Sequence, residues 1–285
     1  MSTPSRPRPR VSARVRRNRL IAAVVVAVLA IVVVVVVVVT VASGQPGEPA
    51  ASTAPPSQAA ETPDPRPSPG EPAPPAPVPT PTPTFDMAAR SIDDPASIWV
   101  VLDKQRPLNP VDYAPDDLVV VPVAHTWEPE LRQEASDAVV AMFQAASAEA
   151  GLSLASNSAY RSYPTQVDLY DSDVANLGQE EADALTARPG FSEHQSGLAI
   201  DIGAESGNCS LDECFEGTPE GQWLAANAWR FGFLLRYPAD KVDITGFAFE
   251  PWHYRYIGVD LSTEMHNRGV TTLEEFFGLP AAPGY

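Results

Sequence analysis

The chain has 285 residues, a formal charge of −17, 31 prolines and two cysteines. The charge is uneven: seven arginines lie between Arg6 and Arg19, whereas from Phe85 onward 11 Lys+Arg stand against 32 Asp+Glu, a balance of −21. So acidic a C-terminal part repels polyanions and argues against a nucleic-acid role, and its roughly 200 residues suffice for one domain with a real core but not two comfortable ones.

Residues 1–19 read as a basic cytoplasmic tail. Leu20 to Val41 are apolar and uncharged. As a helix rising about 1.5 Å per residue they span about 33 Å, close to the ~30 Å hydrocarbon core of a bilayer. The span 20–43 is therefore predicted to be a transmembrane signal anchor. The arginines before it stay on the cytoplasmic side, so the rest of the chain is exported. A cleavable signal peptide is the competing reading, with Val41–Gly44 as a possible cut; its apolar core is normally only about 7–15 residues. Residues 44–84 hold 15 prolines in 41 residues and no aromatic. That composition cannot bury a core and predicts an extended, disordered linker.

The folded part is predicted over 85–285. Ile98–Leu102 and Leu118–Val123 read as short strands around a loop at Arg106–Pro115. Pro129–Ala150 reads as a helix, with Leu131, Ala135, Ala138, Val139, Met142, Phe143 and Ala146 at helical spacing and Gly151 at its end. Leu152–Ala155 reads as a strand, Thr165–Leu177 and Glu180–Ala187 as helices, and Leu198–Ile202 as a strand. Gly221–Phe231 reads as a helix, and Phe247–Phe249 and Tyr254–Ile257 as strands. Without a regular βαβ rhythm the class is α+β, with a mostly antiparallel sheet flanked by helices.

The two cysteines sit close together in Cys209-Ser-Leu-Asp-Glu-Cys214. In an exported domain this reads as a disulfide closing a short loop, with two free thiols as the alternative. The four histidines divide in two. His125 and His266 lie in no dense polar motif and read as surface or structural residues. His194 lies in Ser192-Glu193-His194-Gln195-Ser196-Gly197-Leu198-Ala199-Ile200-Asp201, and His253 in Glu250-Pro251-Trp252-His253. Two imidazoles, one carboxylate and a spare carboxylate approximate the set a catalytic zinc site needs, three ligands plus an open position for water. On a straight strand His194 and Asp201, seven apart, would point to opposite faces; Gly197 permits the bend that brings them together. Two His and a carboxylate also suit ferrous iron, but the H-x-D spacing of non-haem iron oxygenases is absent.

The pattern S-x-H-x-x-G-x-A-x-D followed by E-x-W-H resembles the VanY-like zinc D-alanyl-D-alanine carboxypeptidases, within the superfamily of D,D-peptidases and hedgehog signalling domains. Ser158-Ala-Tyr-Arg161-Ser-Tyr-Pro-Thr-Gln166 also resembles that family's Y-R-S…Q segment. The resemblance covers roughly Ile98 to Gly258. It implies one Zn2+ bound by His194, Asp201 and His253, Glu250 as general base, and Arg161 facing the scissile carbonyl or holding the substrate carboxylate. Gln166, Ser192 and Trp252 would line the pocket. The implied substrate is a peptidoglycan stem peptide ending in D-Ala-D-Ala. Some relatives carry a tyrosine three residues before the catalytic Glu, where this chain has Phe247. Alternatives are another peptidase of the superfamily (an L,D-carboxypeptidase, a D,D-dipeptidase or an endopeptidase) and a non-catalytic wall-binding module; such a module has no need of Glu250.

The expected outcome for the anchor is full-length protein in the membrane fraction, with the C-terminal domain open to protease from outside. Mature protein starting near Gly44 in the medium would favour the signal-peptide reading.

Overall fold

The computed structural model describes residues 85–285. The basic tail, the apolar span 20–43 and the Pro-rich segment 44–84 lie outside the described residues. Among the described residues no helix is long and apolar enough to cross a membrane.

A two-stranded hairpin comes first, β1 (Leu118–Val120) pairing antiparallel with β2 (Glu130–Arg132). Helix α1 (Gln133–Ala150) follows at once and buries Ala135, Val139, Met142, Phe143 and Ala146 on one stripe. It starts later than its periodicity suggests because Glu130–Arg132 is extended. Leu131 is buried opposite Val119, and the flanking backbone is spent on loops: Tyr160 N–H donates to Glu130 O and Arg132 N–H to Gly197 O. Gly151 ends α1 in the left-handed conformation, φ 66°, its N–H turned back onto Ala146 and Ser147 carbonyls.

Next come β3 (Leu154–Ser158), α2 (Tyr163–Leu177) and α3 (Gln179–Leu185). Ser162 caps α2, accepting from Thr165 N–H, with Pro164 in the first turn. β4 (Ala199–Ala204) leads through a loop to α4 (Pro219–Asn227), capped by Thr218 and continued by a 3-10 turn over Ala228–Phe231. The chain closes with β5 (Phe233–Leu235), the single turn α5 (Val242–Thr245), β6 (His253–Tyr256), α6 (Val259–Arg268) and α7 (Leu273–Phe277). The central sheet has the order β3-β4-β6-β5 and is antiparallel throughout. The architecture is α+β, an antiparallel sheet flanked by helices.

The sheet has two chemically distinct faces because side chains alternate along a strand. Ile200, Ile202, Tyr254 and Tyr256 share one face and join the apolar core, and Tyr256 reaches Glu134 of α1 at 2.8 Å. Asp201, His253 and Arg255 share the other, with Asp201 directly opposite His253 in the β4–β6 ladder.

Two expected strands are absent. Phe247–Phe249 is irregular. Ile98–Leu102 is buried throughout, as an apolar run should be, yet it pairs with no strand. Arginine side chains satisfy its carbonyls instead: Arg255 donates to Ile98 O (3.1 Å) and Val100 O (2.8 Å), and Arg236 to Leu102 O (3.1 Å). Buried backbone must find partners, and an apolar run cannot reveal that the partners will be guanidinium groups.

Both arginines are fully buried. Arg236 pairs with Glu274 (2.6 Å) and Glu193 (2.9 Å), and Arg255 pairs with Glu193 (2.9 Å). Burial alone would raise Glu193, but Arg255 and Arg236 hold its carboxyl well below the usual range. Removing one member strands the others in low dielectric. Arg236→Ala is expected to cost about 3–5 kcal/mol in urea unfolding. Arg230→Ala breaks the solvent-screened pair with Glu149 and is expected to cost far less than Arg236→Ala. Equal losses in the two variants would contradict this account.

Candidate metal centre and active-site cleft

His194 and Asp201 come together through a bend. Glu193–Ser196 form a single 3-10 turn, and Gly197 ends it at φ 69° before the chain enters β4. A Cβ at Gly197 would lie 2.9 Å from Leu118 Cδ2 and 3.0 Å from Arg132 Cγ, so both conformation and space require glycine there. His253 arrives from β6, placed against Asp201 by the strand register. One donor atom from each of His194, Asp201 and His253 lies within 4.8 Å of the others, and all three residues are buried.

Outer partners orient both rings. His194 Nδ1 lies 2.7 Å from Ala159 O, so it carries the proton and leaves Nε2 facing Asp201 Oδ2 at 3.4 Å. His253 Nε2 lies 3.3 Å from Glu193 Oε2, which turns Nδ1 toward Asp201 Oδ1 at 3.2 Å and Glu250 Oε2 at 3.6 Å. The rings stand perpendicular, 4.9 Å apart. Asp201 Oδ1 is buried and, although His253 Nδ1 lies 3.2 Å away, no hydrogen bond is made to it among the described residues. Two ring nitrogens and an under-satisfied carboxylate, each braced from outside, fit one divalent cation.

The electrostatics agree with an attraction for positive charge. Burial pulls His253 down, but the Asp201 and Glu193 carboxylates outweigh it and raise it to about 9. Burial would raise Asp201, yet His194 and His253 hold it far below the ordinary carboxylate range. Glu250 is compensated only in part, by His253 and Arg161. Burial pushes it up to about 8, and neighbouring Asp201 adds to the rise. It is held at the end of an irregular segment by its N–H to Tyr237 O, and its own carbonyl accepts from His253 N–H.

These groups line a cleft of about 190 Å³ together with Arg161, Ser192 and Trp252. Arg161 Nη1 donates to Gln166 Oε1 and Nη2 to Ser158 Oγ, both at 3.0 Å. Gln166, expected to line the pocket, is instead fully buried behind Arg161. Its amide spans Arg161 and Ala187 O, which makes it a brace for the guanidinium rather than part of the cleft wall. His125 and His266 are exposed and apart from the cleft, His266 stacked on Trp229. Cys209 and Cys214 form a disulfide.

Several site residues escaped sequence reasoning. Glu193 sits inside the histidine motif, but nothing local reveals that Arg236 and Arg255 will bury it against His253. Tyr237 and Leu211 also line the cleft, and neither belongs to a motif. Phe247 lines it too, with Tyr237 packed against its ring at 4.9 Å.

Residues 128–259 match the family model VanY, D-alanyl-D-alanine carboxypeptidase. The putative carboxypeptidase YodJ of Bacillus subtilis (strain 168) is 41% identical over 192 residues, which cover 66% of this chain and 69% of that protein. A D-alanyl-D-alanine carboxypeptidase of Enterococcus faecalis (strain ATCC 700802 / V583) is 40% identical over 128 residues, 42% of this chain and 45% of the relative. Among solved structures, the LdcB LD-carboxypeptidase superposes with TM-score 0.61 at 41% identity, covering 65% of this chain and 87% of that one. A zinc-bound point mutant of the vancomycin resistance D,D-pentapeptidase VanY superposes with TM-score 0.52 at 32% identity, covering 64% and 98%. With the motifs, the bend and the antiparallel sheet all in agreement, the chain belongs to the VanY-like family of D-alanyl-D-alanine carboxypeptidases and is a peptidase.

Proposed function

We propose that this chain is a zinc enzyme that hydrolyses the C-terminal D-Ala-D-Ala bond of peptidoglycan stem peptides. The observation that carries the reading is the convergence of His194, Asp201 and His253 with the Glu250 carboxylate, 3.6 Å from His253 Nδ1, in a cleft that also holds Arg161. Bound by those three residues, zinc would supply Lewis acidity and lower the pKa of water from 15.7 toward about 7.

The chain's own groups supply the rest. Glu250 reaches the same space as the donor atoms without being needed as a ligand. Its carboxylate takes a proton from the attacking water and returns it to the leaving amine of the terminal residue. Burial, which raises its proton affinity, suits a group that must both accept and release. Arg161 keeps donors beyond those engaged by Gln166 and Ser158, and presents them to the developing oxyanion or to the substrate's terminal carboxylate.

The likeness to an LD-carboxypeptidase, together with Phe247 in place of a tyrosine, favours one second reading, removal of the terminal residue across an L,D bond. Defined penta- and tetrapeptide stems incubated with the zinc-loaded protein, with products weighed by mass spectrometry, separate the two. Free D-alanine from the pentapeptide supports the first, and shortening of the tetrapeptide alone supports the second. We also propose that the domain works outside the membrane, tethered by the apolar span and Pro-rich linker. The disulfide suits that compartment.

Glu250→Ala is expected to retain zinc while kcat falls about 10²–10⁴-fold. His194→Ala, Asp201→Ala and His253→Ala should lose the metal itself, read by metal analysis after dialysis. Arg161→Ala should retain metal and lose turnover. Undiminished hydrolysis by Glu250→Ala would rule out the mechanism. Glu193→Gln, which withdraws the charge bracing His253, is expected to weaken zinc about 10–100-fold in competition with a chelator.

A further inference from the structure

Residues 205–217 connect β4, which carries Asp201, to α4. We infer that this disulfide-closed segment is a specificity element, and that Leu211 at its tip packs on the aliphatic side chain of a peptide residue upstream of the bond that is cut. The inference rests on the peptidase reading above.

Leu211 lines the same cleft as Arg161, Glu250 and His253, yet its side chain is 48% exposed. It therefore stands at the rim rather than in the depth. Its φ is +51°, and that of Cys209 is +55°. A left-handed backbone is costly for a leucine and persists only where its surroundings impose it. Here the surroundings do. Phe215 is fully buried beyond the loop, and Cys209 packs against the core before its tip. Cys209 is bonded to Cys214, and Asp212 accepts from Cys214 N–H at 2.9 Å. With both ends held, the residue at the turn is projected outward. A solvated turn in this conformation favours Gly or Asn, and Ser210, Asp212 and Glu213 around it are polar. An exposed leucine presented to a catalytic cleft calls for an apolar partner.

The rest of the lining names that partner. Arg161, Ser192 and Glu250 give the lining its polar part. Leu169, Leu185 and Trp252 line the same cleft and are apolar like Leu211. In a carboxypeptidase the terminal residue lies deepest, against the cation and the metal ligands. What passes the rim is the chain on the N-terminal side of the bond. Leu211 thus grips the upstream residue, and the two cysteines act as positioning residues for it.

The test uses zinc-loaded protein and two substrates, a stem pentapeptide ending in D-Ala-D-Ala and the truncated N-acetyl-D-Ala-D-Ala, which lacks every side chain before the D-Ala-D-Ala pair. Leu211→Asn keeps a residue that tolerates the left-handed backbone, so the loop is preserved while the apolar contact is lost. Its KM for the pentapeptide should rise about tenfold, with kcat within about twofold and the truncated substrate unaffected. Cys209→Ser with Cys214→Ser should give the same split, and adding Leu211→Asn to that pair should add little. Unchanged KM in Leu211→Asn, or an equal loss on both substrates, overturns the inference and leaves the peptidase reading intact. Calorimetric binding of the pentapeptide separates the remaining cases. Leu211-dependent binding without hydrolysis overturns only the peptidase reading, and no binding to the wild type overturns both.

Discussion

The antiparallel register of β4 on β6 is the constraint on which the rest of the site depends. Pairing Asp201 with His253 puts a carboxylate and an imidazole on one face of the sheet at metal-binding separation. Because side chains alternate, a slip of one residue would turn His253 toward the helix-packed core and bring Tyr254 in its place. The apolar set Ile200, Ile202, Tyr254 and Tyr256 on the opposite face penalises that slip, so the core enforces the register that the chemistry needs. His194 is added to the pair by the turn before β4. Gly197, pressed against Leu118 and Arg132, makes that turn possible.

Beneath the donor set lies a group of buried charges whose purpose is geometric. Taking Arg236, Arg255, Glu193 and Glu274 out of water is expensive, and their mutual attraction about offsets the cost rather than adding stability. Their use is in what they hold. The two guanidinium groups supply hydrogen bonds to the irregular Ile98–Leu102 segment, which has no strand to pair with. Glu193 bridges both arginines and faces His253 Nε2, which selects the tautomer that offers Nδ1 to the cleft. One network thus closes the core and aims the His253 ring at the cleft.

Gln166 and Leu211 show the same division between contact and support. Gln166 belongs to the motif segment, yet it lies behind Arg161 and braces the guanidinium through one hydrogen bond while its amide is held by Ala187 O. Leu211 belongs to no motif, yet a disulfide and a buried phenylalanine bring it to the rim. Position in a motif reports that a residue matters to the site, not whether it touches what the site binds.

Read alone, the amino-acid sequence pointed to the candidate donor set His194, Asp201 and His253, the accompanying Glu250, the need for a bend at Gly197, the α+β class and most helices, while Arg161 came only from the family resemblance. All but Arg161 follow from local patterns: residue types at short fixed spacing, periodicity, and the turn chemistry of glycine and proline. Only the tertiary structure decided that Ile98–Leu102 would be buried without becoming a strand, that Glu130–Arg132 would pair with β1 instead of opening α1, and that Glu193 would be an interior carboxylate. It alone decided, too, that the cysteine loop would present Leu211 to the cleft. Those outcomes depend on partners from about ten to more than a hundred residues away. A charge reads as surface, and an apolar run as strand, until the fold supplies the guanidinium or the carbonyl that satisfies it in the interior.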